Sequence, residues 1–451
     1  MDATTERLVD YAMRLEYESL PDATVAACKQ RLLDTLGYVA GAYDHPLSVS
    51  VRGLAGRYKM DTPATILGSG QQTAPEMAAF ANGVMLRFMD LSDMYRLQSG
   101  GHPSDIIAAT LAAGEIGARD GKSQITAIAL GYEIYCSFCD AIDINSQGWD
   151  QPVYGVVAAA LATGKLIGLN REQMGEAVAL ALVPNMAMYQ TRQGELSAWK
   201  GCAAANGSRN GVFAALLAQS GVTGATAPIE GKHGLWDAVG TFDWSLEPGA
   251  APDRITRTHL KCFPICYHGQ TAVWTALGLR DRTPPAQIES IRIGTYKTAK
   301  LTMANDPTRW APETHETADH SLPYVVGLAL MDGEIGDDSF SPARLRDPNL
   351  AALMAKTVVE EDGELTAIYP ESSPSSITVR LRDGSEIRND LRYPKGHAMA
   401  PMNDTEVTTK FTGLFRNHHS EAGAARMIEL VENLDDLEDI AALFTAFVRP
   451  D

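Results

Sequence analysis

Two histidines set the question of what this chain can do chemically. His102 closes the stretch LSDMYRLQSGGHPSD (residues 91–105), behind a Gly-Gly turn and directly before Pro103. His320 stands in ETADHSLPYVVG (316–327), between Asp319 and Ser321 and four residues before Tyr324. Imidazole can both give and take a proton near neutral pH. Ser104 and Asp105 follow Pro103 into an alanine-rich run, and the free amides of such a helix start favour an anion. Upstream, Asp90 and Asp93 are three apart and share a face if the preceding helix persists, with Arg87 one turn earlier as a partner for Asp90. The alternative for this acidic pair is a charged, capped helix end.

Lys200 follows Trp199 in GELSAWKGCAAANGSRNG (194–211) and opens a helix with a small-residue face at Ala203, Ala204 and Gly207. A cation at a helix start opposes the helix field, a mismatch that is resolved where the lysine meets an anion. Snorkelling beside Trp199 is the competing account. KCFPICYHGQTAV (261–273) brings Lys261, Tyr267 and His268 to the point where the sequence pattern changes. Around His320, Ser321 or Asp319 suits a helix cap and Tyr324 suits core packing, yet His320, Ser321 and Tyr324 also offer three hydrogen-bonding groups within about one turn.

Several chemistries are disfavoured. There is no G-x-S-x-G elbow, no glycine-rich dinucleotide or phosphate loop, no H-E-x-x-H and no calcium loop. No cofactor and no metal are therefore expected. Cys136/Cys139 and Cys262/Cys266 lack the second half of a zinc site and read as core thiols in a reducing, cytoplasmic compartment. A formal charge of −18 over 451 residues disfavours nucleic acid and anionic membranes as partners, while leaving room for a locally basic pocket. No apolar run reaches the length of a membrane span, and the start lacks a secretory pattern.

The elements that must position these residues fall into two kinds. Helical periodicity runs through 4–16, 21–40, 73–89, 103–117, 123–141, 152–168, 172–187 and 201–218, and returns at 404–415, 420–433 and 436–448. Between them, QIESIRIGTY alternates at strand period and SITVRLRDGSEIRNDLRYP holds a hairpin across Arg382-Asp383-Gly384, with helices near 268–279, 321–331 and 344–357. The expected fold is mainly α with an α+β lid. A large helical domain comes from both chain ends (1–266 and 399–451), and a smaller α+β domain (267–398) is inserted between them. The cleft between the two is the expected place for chemistry.

The blocks RFMDLSDMYRLQSGGHPSD (87–105), GELSAWKGCAAANGSRNGVFAALLAQSGVTG (194–224), KCFPICYHGQTAV, ETADHSLPYVVGLALMDG (316–333) and YPKGHAMAPMNDTEVTTKF (393–411) resemble the MmgE/PrpD family, closest to its 2-methylcitrate dehydratase-like branch. The resemblance implies a helical domain with an inserted lid, a homodimer, and cofactor-independent chemistry on a small anionic polycarboxylate. It implies active-site roles for Asp93, His102, Lys200, His268 and Tyr324, with His320 beside them. Arg87, Ser104, Gln151 and Ser321 are the companion substrate-binding candidates. The expected reaction is dehydration of a di- or tricarboxylic hydroxy acid. An iminodisuccinate-like epimerase, a cis-aconitate-type decarboxylase and a noncatalytic carboxylate binder are the alternatives. The chain departs from dehydratase-like relatives at Ser92, where they tend to have Asn; at Gln151, where they often have His; and at His315, where they commonly have Arg. Gln151 cannot titrate, and His315 removes a bidentate clamp.

Overall fold

The computed structural model describes residues 1–244 and 246–450. The first part is helical: α1 (Ala3–Arg14), α2 (Asp22–Gly41), α3 (Pro46–Ala55), α4 (Pro75–Phe88), α5 (Ile107–Ile116), α6 (Gly121–Ala141), α7 (Pro152–Ile167), α8 (Arg171–Leu182) and α9 (Trp199–Gln219). Then come α10 (Tyr267–Leu277), β1 (Ile288–Thr295), α11 (Leu322–Met331), α12 (Pro348–Met354), β2 (Thr357–Glu361), β3 (Ser375–Leu381) and β4 (Glu386–Leu391). The chain returns to helices with α13 (Asp404–Phe415), α14 (Glu421–Glu432) and α15 (Ala441–Phe447).

Two separate apolar cores result. One is built from residues between Leu8 and Leu260 together with Val407–Phe447, so both chain ends share it. The other lies between Ile265 and Leu381. Its sheet has the order β2-β1-β3-β4, with β1 parallel to β2 and antiparallel to β3. Ile288, Ile291 and Ile293 of β1 are buried, and α10 packs against both β3 and α11. Gly384, at φ +87°, closes the β3–β4 hairpin. Among the described residues no helix is long and apolar enough to cross a membrane.

Where the pattern misled, the cause is local. Helix α8 stops at Leu182 because Pro184 cannot continue it. The 344–357 stretch is broken by Pro348, with Asp347 capping α12, and Thr357 instead begins a short strand with Val359 turned inward. The last helix starts at Ala441 rather than near 436. Helix α3 was not expected because only Ser48, Val51 and Ala55 are buried on it; Pro46 and the His45 ring, accepting from Leu47 N–H, set its start.

Helix α9 packs against α4, α7 and α8, and its small residues allow this closeness. A Cβ at Gly211 would lie 2.5 Å from Ala159 Cβ and 2.9 Å from both Ala160 N and Val156 O, and a neighbouring backbone cannot step aside as a side chain can. A Cβ at Gly83 would come 2.9 Å from Ala205 Cβ. Gly211→Ala is therefore expected to destabilise the chain by about 1–3 kcal/mol through overpacking. Denaturant unfolding monitored by circular dichroism measures it, and an unchanged midpoint would show that α7 and α9 tolerate wider separation.

Candidate active site

A cleft of about 310 Å³ lies where the two cores meet. The helical side contributes Arg87, Asp90, His102, Gln151 and Lys261, and the lid side contributes His268, Thr298, Thr302 and His320. A larger cavity of about 760 Å³ sits within the lid, lined by Trp310, Tyr324 and Leu350 among others, but it holds no histidine or lysine. Proton-transfer groups converge on the smaller one.

The loop after α4 is the main positioning device. Asp90 adopts a left-handed conformation, φ +51°, which turns the chain out of the helix. Met94 then exchanges backbone hydrogen bonds with His259, at 2.8 and 2.7 Å. A two-residue ladder pairs Tyr95 with Gly101 and Arg96 with Gly100, returning the chain to its start. Gly101 is required by close approach, since a Cβ there would collide with the Tyr135 hydroxyl; at Gly100 a Cβ would meet only the ends of the Met94 and Arg96 side chains, at 2.7 and 2.8 Å. The return brings His102 Nδ1 to 2.6 Å from the Asp93 carbonyl oxygen. A carbonyl can only accept, so Nδ1 carries the proton and Nε2 is left with its lone pair.

Asp90 collects cations from three segments. Arg87 Nη1 donates to Oδ1 at 2.6 Å, and Lys261 Nζ donates to Oδ1 and to the Asp90 carbonyl at 2.9 Å each. Lys200 Nζ approaches Oδ2 at 3.4 Å while donating to Asp319 Oδ2 at 2.8 Å. His320 Nδ1 donates to the other oxygen of Asp319, and its Nε2 lies 4.0 Å from Asp90 Oδ2. Asp90, Asp319 and His320 offer ligand atoms within 4.8 Å of one another, as a metal site would. Those atoms already face Arg87, Lys200 and Lys261, whose positive charges disfavour a further cation.

Burial raises the Asp90 carboxyl, but Lys200, Lys261, Arg87 and His320 outweigh it and hold it well below the usual range. Asp319 is likewise lowered, burial being offset by Lys200 and His320. His320 is raised: burial and Lys200 oppose its protonation, but Cys266 and Asp319 favour it more. His102 is driven the other way, well below the usual value, by burial and then by Arg87 and Lys261. His268 is also held low, chiefly by burial, with Nδ1 2.6 Å from the Tyr296 hydroxyl. Burial pushes Asp105 up to about 7 despite Arg87 nearby. One cleft thus holds an imidazole shifted up and two shifted down, the kind of separation that acid–base pairs require.

Of the residues proposed from sequence, Arg87, His102, Gln151, His268 and His320 share the cleft wall. Lys200 stands immediately behind it, and the anions it meets are the protein's own Asp319 and Asp90. Asp93 does not reach the cleft wall. It is turned into the loop, where Oδ1 accepts from Ser104 N–H at 3.0 Å, so Asp93 and Ser104 brace His102. Ser321 caps α11 and donates to the Arg309 carbonyl oxygen. Tyr324 donates to Ser339 O at 2.7 Å and lines the lid cavity instead. His315 stacks on Phe340 and meets Phe88 edge-on, outside the cleft, so a clamp is not what this position provides here. Two groups omitted from the sequence-based site, Asp90 and the Lys261 ammonium, line the cleft, and Asp319 stands behind it on Lys200 and His320. The available signal was the i,i+3 spacing of Arg87 and Asp90, which identified the pair without showing which aspartate turns inward.

The chain matches the MmgE/PrpD N-terminal domain over residues 6–247 and the MmgE/PrpD C-terminal domain over residues 263–436. It is 28% identical to 2-methylcitrate dehydratase of Salmonella typhimurium, over 87% of this chain and 85% of that protein. With the protein of the same name from Escherichia coli K12 it shares 27% identity at the same coverage. Cis-aconitate decarboxylase of Aspergillus terreus is 24% identical over 97% of this chain and 94% of its own. With both domains matched in order and the cleft between the two cores, the chain belongs to the MmgE/PrpD family.

Proposed function

We propose that the protein dehydrates a small di- or tricarboxylic hydroxy acid, 2-methylcitrate-like in its chemistry, without a cofactor. The observation that carries this reading is that His102, its Nδ1 held by Asp93 O and its Nε2 free, shares one cleft wall with His320, which is paired with Asp319. His102, neutral and with Nε2 free, takes the proton from the carbon beside a carboxylate. His320, protonated through its contact with Asp319, delivers a proton to the departing hydroxyl from Nε2. Proton transfer at both ends lets the C–H and C–O bonds break without a free hydroxide leaving. Lys261 and Arg87 face the cleft as cations and stabilise the charge that develops on the substrate carboxylate. Lys200 keeps Asp319 and Asp90 ionised, although its own charge opposes protonation of His320. Gln151 orients substrate by hydrogen bonding and takes no part in proton transfer.

The relatives include both dehydratases and a decarboxylase, and the same base would serve an epimerase by returning the proton to either face. Proton NMR in deuterated buffer with 2-methylcitrate, citrate, cis-aconitate and iminodisuccinate separates these reactions. An alkene formed from a hydroxy acid supports the proposal. Carbon dioxide release, or deuterium uptake with inversion and no alkene, would replace it with decarboxylation or epimerisation.

His102→Gln is expected to lower kcat by about 10²–10⁴-fold, the range for losing a general base, while leaving the melting temperature near that of the parent. Activity within tenfold of the parent would remove His102 from the base role.

The pH profile follows from the two imidazoles. Activity needs His102 neutral, so its acid limb lies well below pH 6.5, the usual histidine value. It needs His320 protonated, so activity falls as pH rises through a value above the ordinary one. Asp319→Asn removes a carboxylate that raises His320 and is expected to move the alkaline limb to lower pH. A limb that stays in place in folded Asp319→Asn protein would assign the alkaline ionisation to another group.

A further inference from the structure

The inner end of the cleft accounts for one carboxylate of a substrate, through Lys261 and Arg87. The outer wall holds two more guanidinium groups, Arg96 and Arg192, which the dehydration chemistry above does not use. Arg192 is anchored by one edge only. Its Nε donates to both oxygens of Asp150, at 3.2 and 3.1 Å, while its Nη2 is buried without an acceptor. Asp150 is itself fixed, since Oδ1 also accepts the Gln151 backbone N–H at 2.9 Å. Arg96 forms no ion pair with a carboxylate among the described residues, and its Nε is likewise buried without an acceptor. It is held in place by Gly100, which leaves room for its side chain, and by the face of Tyr369, 5.3 Å from the guanidinium carbon. The remaining acid on this wall, Asp143, turns toward Ser146 N–H within its own turn.

Both side chains line the cleft with guanidinium groups that no carboxylate among the described residues other than Asp150 takes up, and a planar carboxylate supplies two acceptor oxygens for such groups. We infer that Arg96 and Arg192 form a second carboxylate subsite that holds the far acid group of the substrate and sets its required length. Arg192 is the fixed member, because Asp150, on the same wall, holds its Nε edge. Arg96 rides on the hairpin that also delivers His102, so filling the subsite is coupled to the placement of the base. A hydroxy acid with a single carboxylate then binds at the inner end only and gains nothing from the outer wall.

This inference rests on the polycarboxylate reading above, and calorimetry with unreactive probes tests the two separately. Propane-1,2,3-tricarboxylate and isobutyrate would be titrated into the parent, Arg96→Gln, Arg192→Gln and the charge-conserving Arg192→Lys, each checked for an unchanged circular dichroism spectrum. Each Gln variant is expected to weaken tricarboxylate binding by about 10–100-fold, the cost of losing a charged hydrogen bond, with isobutyrate unaffected. Arg192→Lys is expected to lose about tenfold, because an ammonium cannot offer the paired N–H edge. Equal weakening of both probes, or unchanged tricarboxylate affinity in the variants, overturns the subsite. A parent protein that binds neither probe removes the polycarboxylate reading and the subsite with it. Arginine-dependent tricarboxylate binding without turnover of any hydroxy acid keeps the subsite and removes the dehydratase proposal.

Discussion

The carboxylate of Asp90 is the point on which the two cores are pinned together. It is buried, and its counter-charges arrive from α4 (Arg87), α9 (Lys200) and the segment that leads into the lid (Lys261). Asp319 and His320, from the lid itself, complete the cluster. Each ion here would be costly to desolvate alone; Lys261 is 1% exposed and is tolerable only because Asp90 Oδ1, Asp90 O and Ile265 O all accept from it. Such a cluster contributes less to stability than its contacts suggest, but it permits very few arrangements of its parts. Separating lid from helices would leave several buried charges without partners at once, so the cleft has a defined width.

The same residue fixes the geometry of the base. The left-handed turn at Asp90 points the chain toward His259, and the hairpin through Gly100 and Gly101 sends it back to Asp93. His102 can then donate to a carbonyl only nine residues upstream, a contact that selects its tautomer. The cations gathered by Asp90 reappear in the electrostatics, because Arg87 and Lys261 help keep His102 neutral. At His320 the balance reverses because Cys266 and Asp319 are near. A single cluster therefore shifts two imidazoles in opposite directions across one cleft.

How much of this was legible in the sequence depends on the range of the interaction involved. The alanine-rich helices, the β3–β4 hairpin and the change of pattern near residue 267 are set by neighbours a few residues apart, and periodicity reports them. His102 before Pro103 and His320 at a helix start were visible because local polar punctuation marks them. Asp90 and Asp93 are the instructive contrast. They have the same side chain three residues apart, and one φ angle decides which of them faces the cleft; nothing in residues 87–93 alone encodes the outcome. Lys261 was visible as a lysine, but its partner lies 171 positions away. The strand β2 escaped because its parallel pairing with β1 is likewise non-local, and α3 because a short helix with three buried residues leaves little periodic trace.

The departures from dehydratase-like relatives gain meaning from their positions. His315 is enclosed by Phe88 and Phe340, so its exchange for arginine alters packing where the lid meets α4 rather than the charge lining the cleft. Ser92 donates weakly to Leu86 O and is buried behind the loop. Gln151 alone among the three lies on the cleft wall, beside Gly101 and next to Asp150. A histidine there would add a fourth imidazole to the cleft, between His102 and the outer wall. With glutamine, that wall carries an amide, which cannot titrate, among Arg96, Arg192, Asp143 and Asp150. On the proposed reading, the imidazoles at the inner end carry the proton transfer and the outer wall recognises shape and acid groups. Chemistry and selection are then divided along the length of one cleft, so that a substitution such as Gln151 alters the second without adding an ionisation to the first.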